Sequence, residues 1–405
     1  MALNQKPYQF LTDNRENADS VRLISSTLFE ALIKAEMIVP EDRDEPKELI
    51  ERFKYNENRP EYFGIILNPT IDCNLRCWYC YESHSHGSMM GDDMIRAVKR
   101  LIENKLTEPE LKNFSLSFFG GEPLIGWNKV VMPLLKYAVE KCNEKNIAFS
   151  TGFTTNGVLL DSSKLDDLES LGLCKTNFQI SFDGHRPFHD VSRVGENRRP
   201  TYDRILNNLV EAAKRGFLIS MRFNYTPDTV DSFADIFSDL ELLLPQENKG
   251  NIICNFQQVW QTATDSHDIK SKALKLAEIF NSGGYNTETD VIYHRHVCYA
   301  DCENSIVINY NGDVYKCTAR EFSPETREGY LTENGNVEWN ERFAKRMHIK
   351  YANPSCNNCD IMPICNAGCS QNKLEREITD SCPLGKNEED KRKYIHEALL
   401  RKIFV

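Results

Sequence analysis

The feature that most constrains this 405-residue chain is the clustering of its cysteines. Three lie between positions 73 and 80, three between 298 and 317, and five between 356 and 382, while Cys142, Cys174 and Cys254 stand alone. The first twenty residues lack the apolar stretch of a signal peptide, so we expect a cytoplasmic protein. Because disulfides are rare in that reducing compartment, the clustered thiols predict metal binding.

Charge and hydropathy exclude two classes of partner. The chain carries a net charge of −11 with 27% charged residues, which leaves no basic field to attract nucleic acid or anionic lipid. No segment is apolar for long enough to span a bilayer. We therefore expect neither a nucleic-acid partner nor a membrane partner.

Short apolar runs alternate with longer amphipathic stretches from about residue 62 to residue 282. The predicted strands are 62–67, 114–119, 147–153, 177–182, 218–225 and 252–259. The predicted helices are 92–106, 129–146, 162–171, 202–215 and 230–244. Six strands that alternate with helices indicate parallel pairing through right-handed crossovers. The sheet could be open, as in a doubly wound fold, or curled into part of a barrel.

The segments on either side of this α/β region differ from it. Two helices, 26–35 and 45–53, are predicted in the first sixty residues. A β-hairpin is predicted around Asn311 and Gly312, because apolar runs flank this Asn-Gly turn signal. We predict four parts: a cap or peptide-docking segment at 1–61, the α/β core at 62–283, a cysteine-rich extension at 284–387 and a terminal helix at 388–405.

The first cysteine group has the spacing CxxxCxxC, formed by Cys73, Cys77 and Cys80 directly after the first predicted strand. Structural zinc takes four protein ligands, so three thiolates in one loop leave one coordination position open. Ligands of parallel α/β sheets lie at the carboxyl ends of the strands, where this loop is predicted. The motif resembles that of the radical S-adenosylmethionine (SAM) superfamily.

This resemblance implies a partial (β/α)6 TIM-like barrel and a [4Fe-4S] cluster whose open iron binds SAM. Electron transfer from the cluster then releases a 5'-deoxyadenosyl radical in that family. Further motifs that resemble the family follow later strands, at 120–123 (GGEP), 154–157 and 181–184. The resemblance implies SAM contacts from Tyr79, Gly120, Gly121, Glu122, Pro123, Thr155, Asn156, Ser181, Asp183, Arg193 and Asn224. Within this set, Glu122 is expected at the amino group of the methionine moiety and Arg193 at its carboxylate.

The later cysteines resemble the seven-cysteine SPASM extension of peptide and protein maturases, with Cys298 as an eighth thiol. Eight thiolates are what two fully ligated [4Fe-4S] clusters require. The resemblance assigns Cys298, Cys302, Cys317 and Cys369 to auxiliary cluster I, and Cys356, Cys359, Cys365 and Cys382 to auxiliary cluster II. A pair of zinc ribbons is the alternative for this array, and would make the chain a non-catalytic binding module.

With three [4Fe-4S] clusters and SAM, the resemblance implies an oxidoreductase that modifies peptide side chains. We favour a maturase that forms a carbon–carbon or thioether crosslink in a ribosomally made precursor peptide, possibly one with a leader. The alternative is an anaerobic sulfatase maturase, which forms formylglycine. In those enzymes an aspartate follows the third cysteine of the array, whereas Thr318 follows Cys317 here. A flavodoxin or ferredoxin is the expected electron donor.

Overall fold

A computed structural model describes residues 10–11, 13, 17–195, 198–262, 267–289 and 297–404. The chain divides into two compact units, residues 1–52 and 53–405. In the first unit, Asn17 and Ser25 cap successive helices, and each side chain accepts a hydrogen bond from the main chain three residues later. The second unit contains the sheet and every cysteine group.

The helices follow one another along the described chain. They are α1 (Ala18–Ile24), α2 (Ser26–Lys34), α3 (Glu45–Glu57), α4 (Asp92–Lys105), α5 (Met132–Lys145), α6 (Ser162–Ser170), α7 (Arg186–Ser192), α8 (Tyr202–Lys214), α9 (Phe233–Leu243), α10 (His267–Ser282), α11 (Glu341–Ile349), α12 (Pro354–Asn357), α13 (Met362–Cys365), α14 (Ser370–Arg376) and α15 (Glu388–Phe404).

The strands are β1 (Tyr62–Leu67), β2 (Leu75–Cys77), β3 (Asn113–Phe118), β4 (Ala148–Thr155), β5 (Asn177–Phe182), β6 (Arg193–Gly195), β7 (Leu218–Tyr225), β8 (Ile252–Gln258), β9 (Asn286–Thr289), β10 (Ser305–Ile308), β11 (Asp313–Tyr315), β12 (Gly329–Leu331) and β13 (Val337–Trp339). All except β2 and β6 belong to one sheet of order β13-β12-β11-β10-β1-β3-β4-β5-β7-β8-β9. Strands β2 and β6 form a separate antiparallel ribbon.

The strands from β10 through β9 in this order are parallel, with helices in the crossovers. The predicted α/β fold is therefore confirmed, and a large parallel sheet of this kind is consistent with a partial TIM barrel. The six predicted strands occupy consecutive positions in the sheet; three have the predicted ends, and the ends of the other three lie within two residues of the predictions.

Strand residues alternate between two environments, and this alternation builds the core. Along β5, Phe178, Ile180 and Phe182 are buried, whereas the intervening polar side chains lie on the opposite face. Phe153 stacks between Phe118 and Phe178, with ring centroids at 4.9 and 5.4 Å. The apolar face of the sheet is thus packed, while its polar face stays free to line a site.

Several elements go beyond the predicted ones. Strand β9 extends the parallel sheet after β8, and α7 is a short helix that the predictions omitted. The predicted hairpin forms as β10 and β11, but β10 also pairs in parallel with β1, so that the cysteine-rich extension continues the core sheet. That pairing joins residues about 240 positions apart, and local sequence patterns carry no such information.

No helix in the described ranges has the length and hydropathy needed to cross a bilayer.

Phe223 tests the apolar core of the sheet. Its ring is fully buried on β7 and lies 4.8 to 5.2 Å from the rings of Phe256, Phe233 and Phe280. We expect Phe223→Ala to lower the free energy of unfolding by about 3–5 kcal/mol, because it removes these contacts and leaves a cavity. Urea unfolding followed by circular dichroism measures the loss.

The matched control for this change is Phe188→Ala on α7, where the ring is 42% exposed. It should change the free energy of unfolding by no more than about 0.5 kcal/mol. Equal effects of the two substitutions would show that the packing described for Phe223 does not stabilise the sheet.

Candidate active site

A cavity of about 500 Å³ opens beside the loops that follow the carboxyl ends of the parallel strands. It is lined by residues of the first cysteine loop, of the turns after β3 and β4, and of the polar face of β5, β7 and β8. Among the predicted site residues, those in the lining are Cys73, Cys77, Tyr79, Cys80, Gly120, Gly121, Thr155, Asn156, Ser181, Arg193 and Asn224. The fold thus brings most of the predicted site together.

The three thiols of the first group all reach this cavity from one loop. Asp72 holds the start of the loop, because its carboxylate accepts hydrogen bonds from Cys73 N at 2.8 Å and from Gly87 N at 3.0 Å. The β2–β6 ribbon holds its middle, with Cys77 opposite Arg193. Burial raises the pKa of Cys73 to about 12 and that of Cys80 to about 11.

The turn after β3 contacts this loop through main-chain atoms. Gly121 N and Glu122 N donate to Thr70 O and Asp72 O at 3.2 and 2.8 Å. A side chain at Gly121 would place its Cβ 2.6 Å from Ile71 O and closer still to Asp72 O. Gly120 has φ +100°, a conformation that favours glycine. The two glycines therefore permit a contact that no larger residue would allow.

Glu122 lies behind the cavity lining. Its buried carboxylate accepts hydrogen bonds from Thr155 Oγ1 at 2.8 Å, Asn156 N at 2.8 Å and Leu124 N at 3.0 Å. Burial raises its pKa, and these donors oppose that shift. In this structure Glu122 connects the turns after β3 and β4, and neither Glu122 nor Pro123 is among the lining residues.

Four predicted residues form a buried polar network beside Cys77. Tyr79 Oη donates to Asp183 Oδ1 at 2.9 Å and accepts from Arg193 at 2.9 Å and from Asn224 Nδ2 at 3.1 Å. Burial raises the pKa of Asp183, although the guanidinium of Arg193, 3.7 Å away, opposes this shift. Asp183 Oδ2 and Arg193 Nε are buried and have no hydrogen-bond partner among the residues that the structure describes.

These observations test whether the site fits the cofactors that a radical SAM site requires. Three thiols in one loop provide a donor set for a cluster with one open iron. The unpaired carboxylate oxygen and guanidinium nitrogen are able to bond an ammonium and a carboxylate. The glycine turn lets main chain approach a ligand closely. The residues present therefore fit a [4Fe-4S] cluster with SAM.

Several lining residues were missed by the sequence predictions. Gln179, Arg222 and Gln258 line the cavity from the strands, while Trp260 and Tyr299 line it from adjoining segments. The strand residues carried a usable signal, since Gln179 alternates with buried Phe178 and Ile180. Trp260 and Tyr299 carried none, because only the tertiary fold brings their segments to the cysteine loop.

The structure sorts the later cysteines into two neighbourhoods. Burial raises the pKa of Cys298 to about 11, and the nearby acidic groups that add to this shift are Asp301, Cys317 and Cys369. Burial also raises the pKa of Cys302, and Cys298 is among the groups that add to this shift. Burial raises the pKa of Cys365 to about 11, with further contributions from Cys356, Cys359 and Cys382. These neighbourhoods have the same members as the two ligand sets predicted from the sequence.

Within the described part of the chain, no three His, Cys, Asp or Glu side chains come close enough to hold one metal ion. The cysteine sets are thus not preformed sites for a single ion. Each thiolate of a [4Fe-4S] cluster binds a different iron, so a cluster does not need such close thiols.

The sequence is similar to one known protein family and to several characterised enzymes. Residues 67–240 match the family model of the Radical SAM superfamily. The radical SAM cyclopropyl synthase TigE of Paramaledivibacter caminithermalis is 24% identical over 366 residues, which cover 81% of this chain and 71% of TigE. A cysteine-type anaerobic sulfatase-maturating enzyme of Clostridium novyi is 24% identical over 342 residues, covering 76% and 88%.

Two solved structures share the fold. The sulfatase-maturating enzyme anSMEcpe with bound AdoMet superposes with a TM-score of 0.61 at 18% identity, covering 84% of this chain and 98% of that one. Streptococcus suis SuiB bound to its precursor peptide SuiA gives a TM-score of 0.54 at 15% identity, covering 92% and 88%.

The match and the site together define the class of protein: residues 67–240 form a radical SAM domain. Such a domain works with a [4Fe-4S] cluster and SAM. Outside this domain as well as within it, the chain is similar to anaerobic sulfatase maturases and to the radical SAM cyclopropyl synthase TigE.

Gly121 offers a test of how the cysteine loop is held. We expect Gly121→Ala to reduce bound iron by about four atoms per chain after anaerobic reconstitution, because the added Cβ pushes the main chain of residues 71–72 away. Iron analysis and equilibrium dialysis with SAM measure the effect. Gly250→Ala is the control, since a Cβ there meets nothing within 4 Å. Full iron content in Gly121→Ala would refute this account of the loop.

Proposed function

We propose that the chain is a peptide maturase that cleaves SAM reductively, abstracts hydrogen from a ribosomally made peptide and forms an oxidative crosslink. One observation carries the proposal: residues next to two cysteines of the auxiliary cluster I set also line the cavity that the three-thiol loop enters. Tyr299, Thr318 and Ala319 line it, and they are neighbours in sequence of Cys298 and Cys317. A substrate in the cavity would therefore contact both metal regions.

Direct bonds connect these two regions at the cavity wall. Tyr81, next to Cys80, donates from its hydroxyl to Thr318 O at 2.7 Å. Thr318 N in turn donates to Tyr299 Oη at 3.0 Å. Tyr81 also stacks on Trp260, with centroids 5.9 Å apart. This aromatic and main-chain wall suits a peptide, which presents both apolar side chains and amide groups.

The proposed cofactors are SAM and three [4Fe-4S] clusters. Cys73, Cys77 and Cys80 would hold the first cluster, and the two later sets would hold auxiliary clusters I and II. When bound, the first cluster and SAM supply a 5'-deoxyadenosyl radical. Arg193 would bind the methionine carboxylate. Tyr79, Asp183 and Asn224 would hold Arg193 in place through the buried network described above.

The proposed reaction balances without another oxidant. The peptide gives one hydrogen atom to the 5'-deoxyadenosyl radical, which yields 5'-deoxyadenosine. A new carbon–carbon or carbon–sulfur bond then forms as the peptide loses a proton and an electron. An auxiliary cluster, fully ligated by four thiolates, would accept that electron. A low-potential donor such as flavodoxin or ferredoxin would reduce the first cluster.

A ribosomally made precursor is the proposed substrate class. TigE is a radical SAM cyclopropyl synthase, and SuiB has been solved with its precursor peptide SuiA. Residues 1–61 are a proposed docking segment for a leader peptide. We further propose that residues 62–283 form the radical SAM core, residues 284–387 the SPASM extension and residues 388–405 a terminal helix.

A sulfatase maturase is the second candidate. The relative from Clostridium novyi supports it, because the match covers 88% of that enzyme. Thr318 argues against it, since this position follows Cys317, where sulfatase maturases carry an acidic residue. The two candidates differ in product, as an aldehyde reacts with carbonyl reagents and a crosslink does not.

The proposed three clusters predict the iron content of the protein. Anaerobically reconstituted protein should be brown and bind about twelve irons per chain, four for each of three clusters. Inductively coupled plasma analysis of iron and zinc measures this content. A colourless protein that binds zinc instead would support a non-catalytic zinc-ribbon module and contradict the proposal.

The proposed crosslink predicts the mass of the reacted peptide. The substrate to test is a peptide from a short open reading frame beside this gene. Incubation of such a precursor with SAM and a strong reductant should lower the peptide mass by two hydrogens for each crosslink. Tandem mass spectrometry should show fragment ions missing between the linked residues. A control with Cys317→Ala should release 5'-deoxyadenosine and yield much less crosslinked peptide.

Treatment with hydroxylamine separates the candidates. Product that stays unchanged supports a crosslink, whereas product that forms an oxime contains the aldehyde of formylglycine. An unmodified peptide in the presence of rapid 5'-deoxyadenosine release would exclude this peptide as the substrate.

A further inference from the structure

Four buried cations lie among the auxiliary cysteines. Each of these residues is at most 3% exposed, and they are Lys316, Arg346, Lys350 and Lys373. Burial of a charged group is costly unless an opposite charge or several hydrogen bonds compensate it. The partners of these four cations therefore indicate where negative charge is required.

Two of the cations have carboxylate partners. Lys350 lies 2.7 Å from Asp301 and also contacts Glu57, both of which are buried. Arg346 pairs with buried Glu328. The three carboxylates that contact this group are thus engaged by Lys350 and Arg346.

Lys373 is different. It is fully buried on α14, and among the described residues its ammonium has a single hydrogen-bond acceptor, the main-chain oxygen of Lys350. The other charges that act on it are, in decreasing order of effect, the thiol groups of Cys356 and Cys365, the ammonium of Lys350 and the carboxylate of Asp301. Asp301 is already bonded to Lys350 and Ser370. The negative charge that compensates Lys373 must therefore come from Cys356 and Cys365.

Lys316 repeats the arrangement at the other cysteine set. It is fully buried, and its ammonium donates to the main-chain oxygens of Cys302 and Ser305. The rings of Trp339 and Phe343 lie 5.8 and 5.9 Å from it and give partial compensation. Glu328, the nearby carboxylate, bonds Arg346 and the main-chain nitrogen of Lys316. Within the described part of the chain, each auxiliary cysteine set therefore has one buried lysine that forms no ion pair with a carboxylate.

We propose that Lys373 is the counter-charge of auxiliary cluster II and Lys316 that of auxiliary cluster I. Each lysine raises the reduction potential of its own cluster. A [4Fe-4S] cluster with four thiolates is an anion, and reduction adds a further negative charge. A fixed buried ammonium stabilises the reduced form more than the oxidised form, because its attraction grows with that charge. The two lysines thus make the clusters better acceptors of the electron that leaves the peptide.

This inference rests on the proposed function only for the presence of the auxiliary clusters. Its test uses the reconstituted full chain with SAM, and needs no peptide. Redox titration followed by electron paramagnetic resonance should resolve the auxiliary transitions, since SAM alters the signal of the first cluster. Lys373→Met should lower the reduction potential of one auxiliary cluster by at least 59 mV, which is a tenfold change in the equilibrium constant of a one-electron couple. Lys316→Met should lower the other.

The control is Lys393→Met on α15, where the side chain is 67% exposed and paired with Glu389. It should leave both potentials unchanged. Twelve bound irons with unshifted potentials in both Lys373→Met and Lys316→Met would overturn the proposal. If Lys373→Met loses irons, Lys373→Arg must retain them, because it restores the charge; loss in both also overturns it. Wild-type protein with only four irons would instead refute the proposed cluster count.

Discussion

The close contact between two main-chain segments fixes the position of the candidate active site. Residues 120–122 follow β3, and their amide groups bond the carbonyl groups of Thr70 and Asp72 at the start of the cysteine loop. Only glycine leaves room for this contact at Gly121. Because Glu122 continues the connection to the turn after β4, three successive strand ends are held around one cavity. The loop that presents three thiols is therefore anchored to the most regular part of the fold.

The sheet itself supplies the remainder of the cavity wall. Its apolar face is filled by stacked phenylalanines, and its opposite face carries polar side chains such as Gln179 and Arg222. The C-terminal extension adds to the wall because β10 pairs with β1 and brings the segment after β11 to the mouth of the cavity. Continuity of one sheet thus places the auxiliary cluster I set beside the first cysteine group.

Much of this organisation was accessible from the sequence, for identifiable reasons. Strand and helix positions follow from local periodicity, and the cysteine spacings carry the chemistry of the site. The parallel pairing of β10 with β1 was not accessible, because it joins segments distant in the chain. The position of Glu122 behind the cavity lining depends on its bonds to Thr155 and Asn156, which the motif alone does not reveal. The buried lysines look like ordinary surface residues until their environment is known.

We propose that the loop of Cys73, Cys77 and Cys80 holds a cluster with one iron open to SAM. The most direct test is the release of 5'-deoxyadenosine from SAM under dithionite, quantified by liquid chromatography and mass spectrometry. We predict steady release by the reconstituted wild-type protein and none above background after replacement of all three cysteines by alanine. Undiminished release by the triple variant would contradict the account.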